Sequence, residues 1–98
     1  MLALTARQRD GLSTPTRAAI DELERVAAAF PDVFDAVNHW VLAPGHSLET
    51  GAARALIEEF TRIARFDLAQ NSVLLRQVNL HSALYRRGFM VDATGGAH

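Results

Sequence analysis

Apolar residues recur at intervals of three and four along most of this chain, and no stretch alternates strictly enough to predict a sheet. The pattern predicts an all-α fold, a small antiparallel bundle of about four helices joined by short connectors. Thr5 is placed to cap a short turn through Arg9, which Gly11 interrupts, and Ser13-Thr14-Pro15 starts afresh with a capping hydroxyl and an early proline. A main helix from about Pro15 to Ala29 follows, with Ala19, Ile20, Leu23, Val26, Ala27 and Phe30 as its apolar stripe and Asp21–Arg25 as an outer pair. Phe30-Pro31 resets the backbone, because a residue before proline avoids the helical region while the proline itself can open a helix. The next helix spans about Pro31 to Leu42, with Val33, Phe34, Val37, Trp40 and Val41 on one face and Pro44-Gly45 as its stop. A third, about Leu48 to Phe66, carries Ala52, Ala53, Leu56, Ile57, Phe60, Ile63 and Ala64 inward, with Ser47 or Thr50 as its cap. Asp67 to Ser72 is a break capped by Asn71 or Ser72, or a bend in a continuing helix.

The last helix, ending at Arg87 with Gly88 as a left-handed cap, departs from the others. Leu74, Leu75, Val78, Leu80, Ala83, Leu84 and Tyr85 spread around its circumference, and a helix apolar on more than one side is buried on more than one side. In so short a chain, the second side is covered either by its own neighbours or by another protein. The contact residues expected from this pattern are Leu74, Leu75, Val78, Leu84 and Tyr85 as apolar anchors, Arg86 and Arg87 as rim charges, and Trp40 as a second anchor or a core tryptophan. Residues 1–12 read as an N-terminal arm or short helix, 13–91 as one helical domain and 92–98 as a disordered tail.

Composition narrows the chemistry. At 98 residues the chain makes a single core, and cysteine is absent, so disulfides, thiolate metal sites and cysteine nucleophiles are excluded. All ten cationic residues are arginine. That excludes a lysine Schiff base or phosphate-loop lysine, and with the abundant alanine it suggests a GC-rich bacterial genome. The first residues carry no long apolar leader and no run approaches the roughly 20 apolar residues of a spanning helix, so a cytoplasmic location is the expectation. Charge is segregated: residues 21–60 carry eight acids against Arg25 and Arg54, while both flanks are net basic. Such a division predicts helices that pair with each other or with another chain.

No catalytic or metal signature in the sequence predicts a site. Asp35 and His39 share a helix face with His46 just beyond, but the second firm histidine of a helical zinc signature is missing, and His81 lies far along the chain. Glu58 and Glu59 are adjacent and diverge on a helix, so they cannot share a proton and belong to a charged outer face with Arg54, Arg62 and Arg65. There is no nucleophile elbow and no glycine-rich phosphate loop. His81, within the apolar final helix, would make association depend on pH between about 5 and 8 if an interface buries it.

Residues 4–10 and 14–20 resemble fragments of the start of a LexA-type winged-helix domain, but Gly11 to Ser13 stand where its first helix would continue, and no recognition helix with a β-wing follows. Size, helical pattern, the Ala29 to Phe34 junction and the apolar ending Gly88-Phe89-Met90-Val91 resemble the small helical anti-activators that sequester LuxR-type regulators. That resemblance implies action by occupying a partner's interface. The sequence thus predicts a bacterial protein-interaction module, a regulator, inhibitor or adaptor that masks a partner protein's surface, homodimeric through its last helix and without catalytic activity, cofactor, metal or membrane. The alternative is a nucleic-acid-binding regulator using its arginine-rich ends, Arg76, Arg86 and Arg87 foremost, although a pI of about 6.4 is not that of a strongly basic binder.

Overall fold

The computed structural model describes residues 1–43, 47–70 and 72–89. The Pro44-Gly45 stop, His46, Asn71 and the apolar and glycine-rich end from Met90 lie outside them. The described residues are helical, without strands: α1 Ala6–Asp10, α2 Thr14–Val26, α3 Pro31–Ala36 running into a π-helical turn Val37–Val41, α4 Gly51–Gln70 and α5 Val73–Arg86. The molecule is a slab, 37 × 36 × 19 Å, whose short dimension is about that of two helix layers.

Local chemistry sets the helix boundaries. Thr5 and Gln8 form a reciprocal capping box at α1. Thr50 caps α4 by accepting from the Ala53 N–H at 3.1 Å, and Ser72 caps α5 by accepting from Leu75 N–H at 3.2 Å. Gly88 is left-handed (φ 81°), and the amides of Gly88 and Phe89 return to the carbonyls of Tyr85 and Leu84, which completes a Schellman ending that lays Phe89 against the core. Helix α2 ends at Val26, short of the expected Ala29. Pro31 bars Phe30 from helical backbone, and the chain turns instead through a Phe30 N–H to Ala27 C=O bond of 2.8 Å.

Helix α4 is the element against which both α2 and α5 pack. Its Ala53, Leu56, Ile57, Phe60 and Ala64 are buried, facing Ile20, Leu23, Val26 and Ala27 of α2, Val33, Phe34, Val37 and Val41 of the α3 segment, and Leu80, Ala83 and Leu84 of α5 in one cluster. The π turn was not expected. An i to i−5 bond, Leu42 N–H to Val37 C=O at 3.0 Å, takes one residue more than an α turn. Within that turn Val37 and Val41 are buried in the core and Trp40 packs against it only partly buried.

The N-terminal arm is tied down. Leu2 joins the core, its amide donates to Glu24, and Arg9 grips the same carboxylate through two nitrogens at 2.8 and 2.7 Å. At the start of α2, the Ser13 side chain does not cap the helix. Glu49, from the segment before α4, accepts from the Ser13 amide at 2.6 Å, the Ser13 hydroxyl at 2.8 Å and the Thr16 hydroxyl, which puts a negative charge at the positive end of α2.

These contacts hold both carboxyls below the usual carboxylate range: Glu24 chiefly through the Arg9 hydrogen bonds, Glu49 chiefly through the Thr16 hydroxyl with Ser13 adding to it. A depressed folded value means that the stabilisation is complete above the unfolded carboxyl value of about 4.3 and is lost as pH falls through the folded one. The thermal midpoint should therefore fall as pH drops from about 5 towards 2. A Glu24→Gln, Glu49→Gln double variant should melt lower than wild type at pH 7 and lose less on acidification. Parallel curves for the two proteins would contradict this assignment.

Candidate functional site

Helix α5 is divided lengthwise. Arg76, Leu80, Ala83 and Leu84 face inward and are buried, with Leu84 completely so. On the other side Leu74, Val78 and Tyr85, at i, i+4 and i+11, form a stripe left 73%, 56% and 58% exposed. Val73 and Leu75 flank it on α5, and Phe66 of α4 adds a half-exposed ring. Of the expected anchors, Leu74, Leu75, Val78 and Tyr85 therefore share the exposed part of the helix. Leu84 does not: it is a core residue, because its position a full turn after Leu80 aligns it with the inward face, which the two-sided sequence pattern could not separate from the outward one.

The expected rim arginines are drawn towards α4. Arg86 and Arg87 share one carboxylate, Glu59, with Arg87 donating through Nε and Nη2 at 3.2 Å each. Arg76 is buried. Its Nε and Nη2 meet the two oxygens of Asp32 at 2.8 and 3.0 Å, and its guanidinium carbon lies 4.4 Å from the centre of the Phe30 ring. All three arginines of the nucleic-acid alternative are thus engaged with carboxylates of their own chain, which does not favour phosphate contact. The acidic middle and basic flanks pair within the molecule, as Arg9–Glu24, Arg65–Glu22, Arg76–Asp32 and Arg86–Glu59 show. The outer pair expected between Asp21 and Arg25 is instead Glu22 with Arg25.

Beside the stripe lies a cleft of about 330 Å³ between the α3 segment and α5, lined by Asp32, Asp35, His39, Trp40, Gln77 and His81. The π turn supplies two of these rings, and His39 meets Trp40 edge-on with centroids 4.8 Å apart. Trp40, the second expected anchor, thus stands at the border of the exposed surface as well as against the core. Asp35 and His39 do line one cleft, but among the described residues no three ligand-type side chains gather as a metal site. His46, the third residue of that test, lies outside the described residues. Glu58 lines a different cleft, of about 490 Å³ between α2 and α4, with Glu22, Arg62 and Arg65. Sequence reasoning missed both clefts, since each depends on how two helices dock. The signal that could have found the first is Gln77, a polar residue between Leu75 and Val78.

Compared with family models, curated proteins and solved structures, the chain matches none, so its geometry alone carries the functional reading.

Two stability measurements separate the sides of α5. At protein concentrations low enough to keep the chain monomeric, Leu84→Ala should cost about 2–5 kcal/mol in urea unfolding, while Val78→Ala should change stability by no more than about 0.5 kcal/mol. Equal losses would mean that both sides are internal. Removing Asp32 as Asp32→Ala should cost about 3 kcal/mol because it strips the buried guanidinium of its main counter-charge, and adding Arg76→Met should recover part of that loss. A strictly additive pair would deny the coupling.

Proposed function

We propose that this chain is a protein-interaction module, a small bacterial cytoplasmic regulator, inhibitor or adaptor that acts by covering a partner protein's surface with the outward side of α5. One observation carries the reading. In a chain that closes its core around Phe60, Leu56 and Ile57, one helix leaves Leu74, Val78 and Tyr85 in register on its surface, with Leu75 and Phe66 beside them. Scattered exposed leucines are ordinary, but a contiguous apolar patch on a small protein marks a contact surface.

The surrounding chemistry suits that role. Tyrosine is a favoured interface anchor, and arginines already oriented by Glu59 form a polar rim that needs little ordering on contact. The reading has no catalytic step and requires no cofactor. Its specificity would come from shape and from the cleft beside the stripe, where Trp40 and Gln77 offer an apolar edge and an amide.

A photo-reactive residue at position 78, introduced in cells, should trap an adduct heavier than one chain, while the same residue at Ser47, on the exposed loop before α4, should not. In parallel, Leu74→Asp should fold with unchanged helicity. Loss of folding on that substitution, or an absence of any adduct from position 78, would remove the reading.

A further inference from the structure

We infer that the outward side of α5 is occupied by a second copy of this chain, the two α5 helices lying antiparallel across a two-fold axis. This rests on the reading of that side as a contact surface, and it names the occupant when no other partner is present.

The first argument is electrostatic. In a two-fold contact each group meets the counterparts of its own neighbours, so a face with net charge repels its copy. Here the arginines of α5 are drawn off the face, Arg76 inward to Asp32 and Arg86 to Glu59. What remains outward along the stripe is Leu74, Val78, His81 and Tyr85, flanked by Leu75 and Ser82, and none of them is a carboxylate or a guanidinium. His39 and Asp35 line the cleft to one side, which His81 also borders.

The second argument is register. Leu74 and Tyr85 stand near the two ends of the stripe, about 16 Å apart along the axis. Antiparallel pairing about the middle sets Leu74 of each copy against Tyr85 of the other, so both ends close on the same pair of large side chains. Val78 of each copy then meets His81 of the other, and Gln77 meets Ser82. A parallel pairing would instead set like positions together and is not what a single two-fold axis across the helix generates.

The third argument is area. Phe66, Leu74, Leu75, Val78 and Tyr85 are each between 39% and 73% exposed. Together they leave on the order of 400 Å² of apolar side chain in water. A standard interface takes about 800 Å² from each partner, a little over half of it apolar. One further copy, bringing an equal patch, covers the surface without a third component.

The test is the solution mass by light scattering over a concentration series, for wild type and Val78→Asp, with circular dichroism on both. Wild type should weigh twice the 10.7 kDa chain at low micromolar concentration, and Val78→Asp should weigh one chain with the same helicity. A wild type that stays monomeric would overturn the second copy while leaving the α5 surface free for another protein. A dimer that survives Val78→Asp would place the contact elsewhere and also overturn it. Should that variant fail to fold, cysteines decide, since the chain has none of its own. A mixture of Leu74→Cys and Tyr85→Cys chains should oxidise to the mixed disulfide at least ten times faster than to either self-disulfide. Self-disulfides forming as fast, or no disulfide at all, would reject the antiparallel pair.

Discussion

The orientation of α5 depends on one buried charge. Hydrophobicity does not choose a side for this helix, because Leu74, Val78 and Tyr85 outward are comparable in apolar bulk to Leu80, Ala83 and Leu84 inward. Arg76 breaks that near-symmetry. A guanidinium 7% exposed is tolerable only where its charge and its donors are met, and Asp32 with the Phe30 ring supplies such a place at the start of the α3 segment. Rotating α5 would strand the charge, so the pair fixes which leucines enter the core and which stay exposed.

The exposed stripe follows from that choice. With Arg76 held inward, the stripe is turned to solvent, Gln77 and His81 come to face Trp40 across the cleft, and Arg86 reaches Glu59 on α4. The turn at Ala27 to Pro31 takes part in the same arrangement. It ends α2 early and brings Phe30 under the guanidinium, so a break dictated by one proline also completes the pocket that accepts the arginine. Segregated charge along the sequence thereby becomes a set of ties between distant segments, and the stripe on α5 is left without a carboxylate or a guanidinium.

Much of the fold was legible because its boundaries are set by nearest-neighbour chemistry. Thr5, Pro15, Pro31, Thr50, Ser72 and Gly88 each act through bonds within a few residues, and the stripe on α4 needed only the helical period. What escaped depends on contacts between segments far apart. The π turn answers to how Val41 and Trp40 meet the core, and Glu49 caps α2 from 36 residues away. The candidate site was half legible for the same reason. The excess of apolar residues on α5 announced a second surface, but Leu84 could be assigned to the inner side only once Arg76 had found Asp32.

The most direct test of this account is fluorine NMR of the single tyrosine, Tyr85, as 3-fluorotyrosine with the Arg76–Asp32 pair intact and in an Arg76→Met, Asp32→Leu variant, both carrying Val78→Asp against the proposed dimer contact. With the pair intact, one narrow resonance at a solvent-exposed shift is expected. With the pair replaced by apolar residues, α5 loses the contact that selects its rotation, and the resonance should split or broaden although helicity is kept. A single unchanged resonance in the variant would show that packing alone orients α5, and would contradict the role assigned to the buried charge.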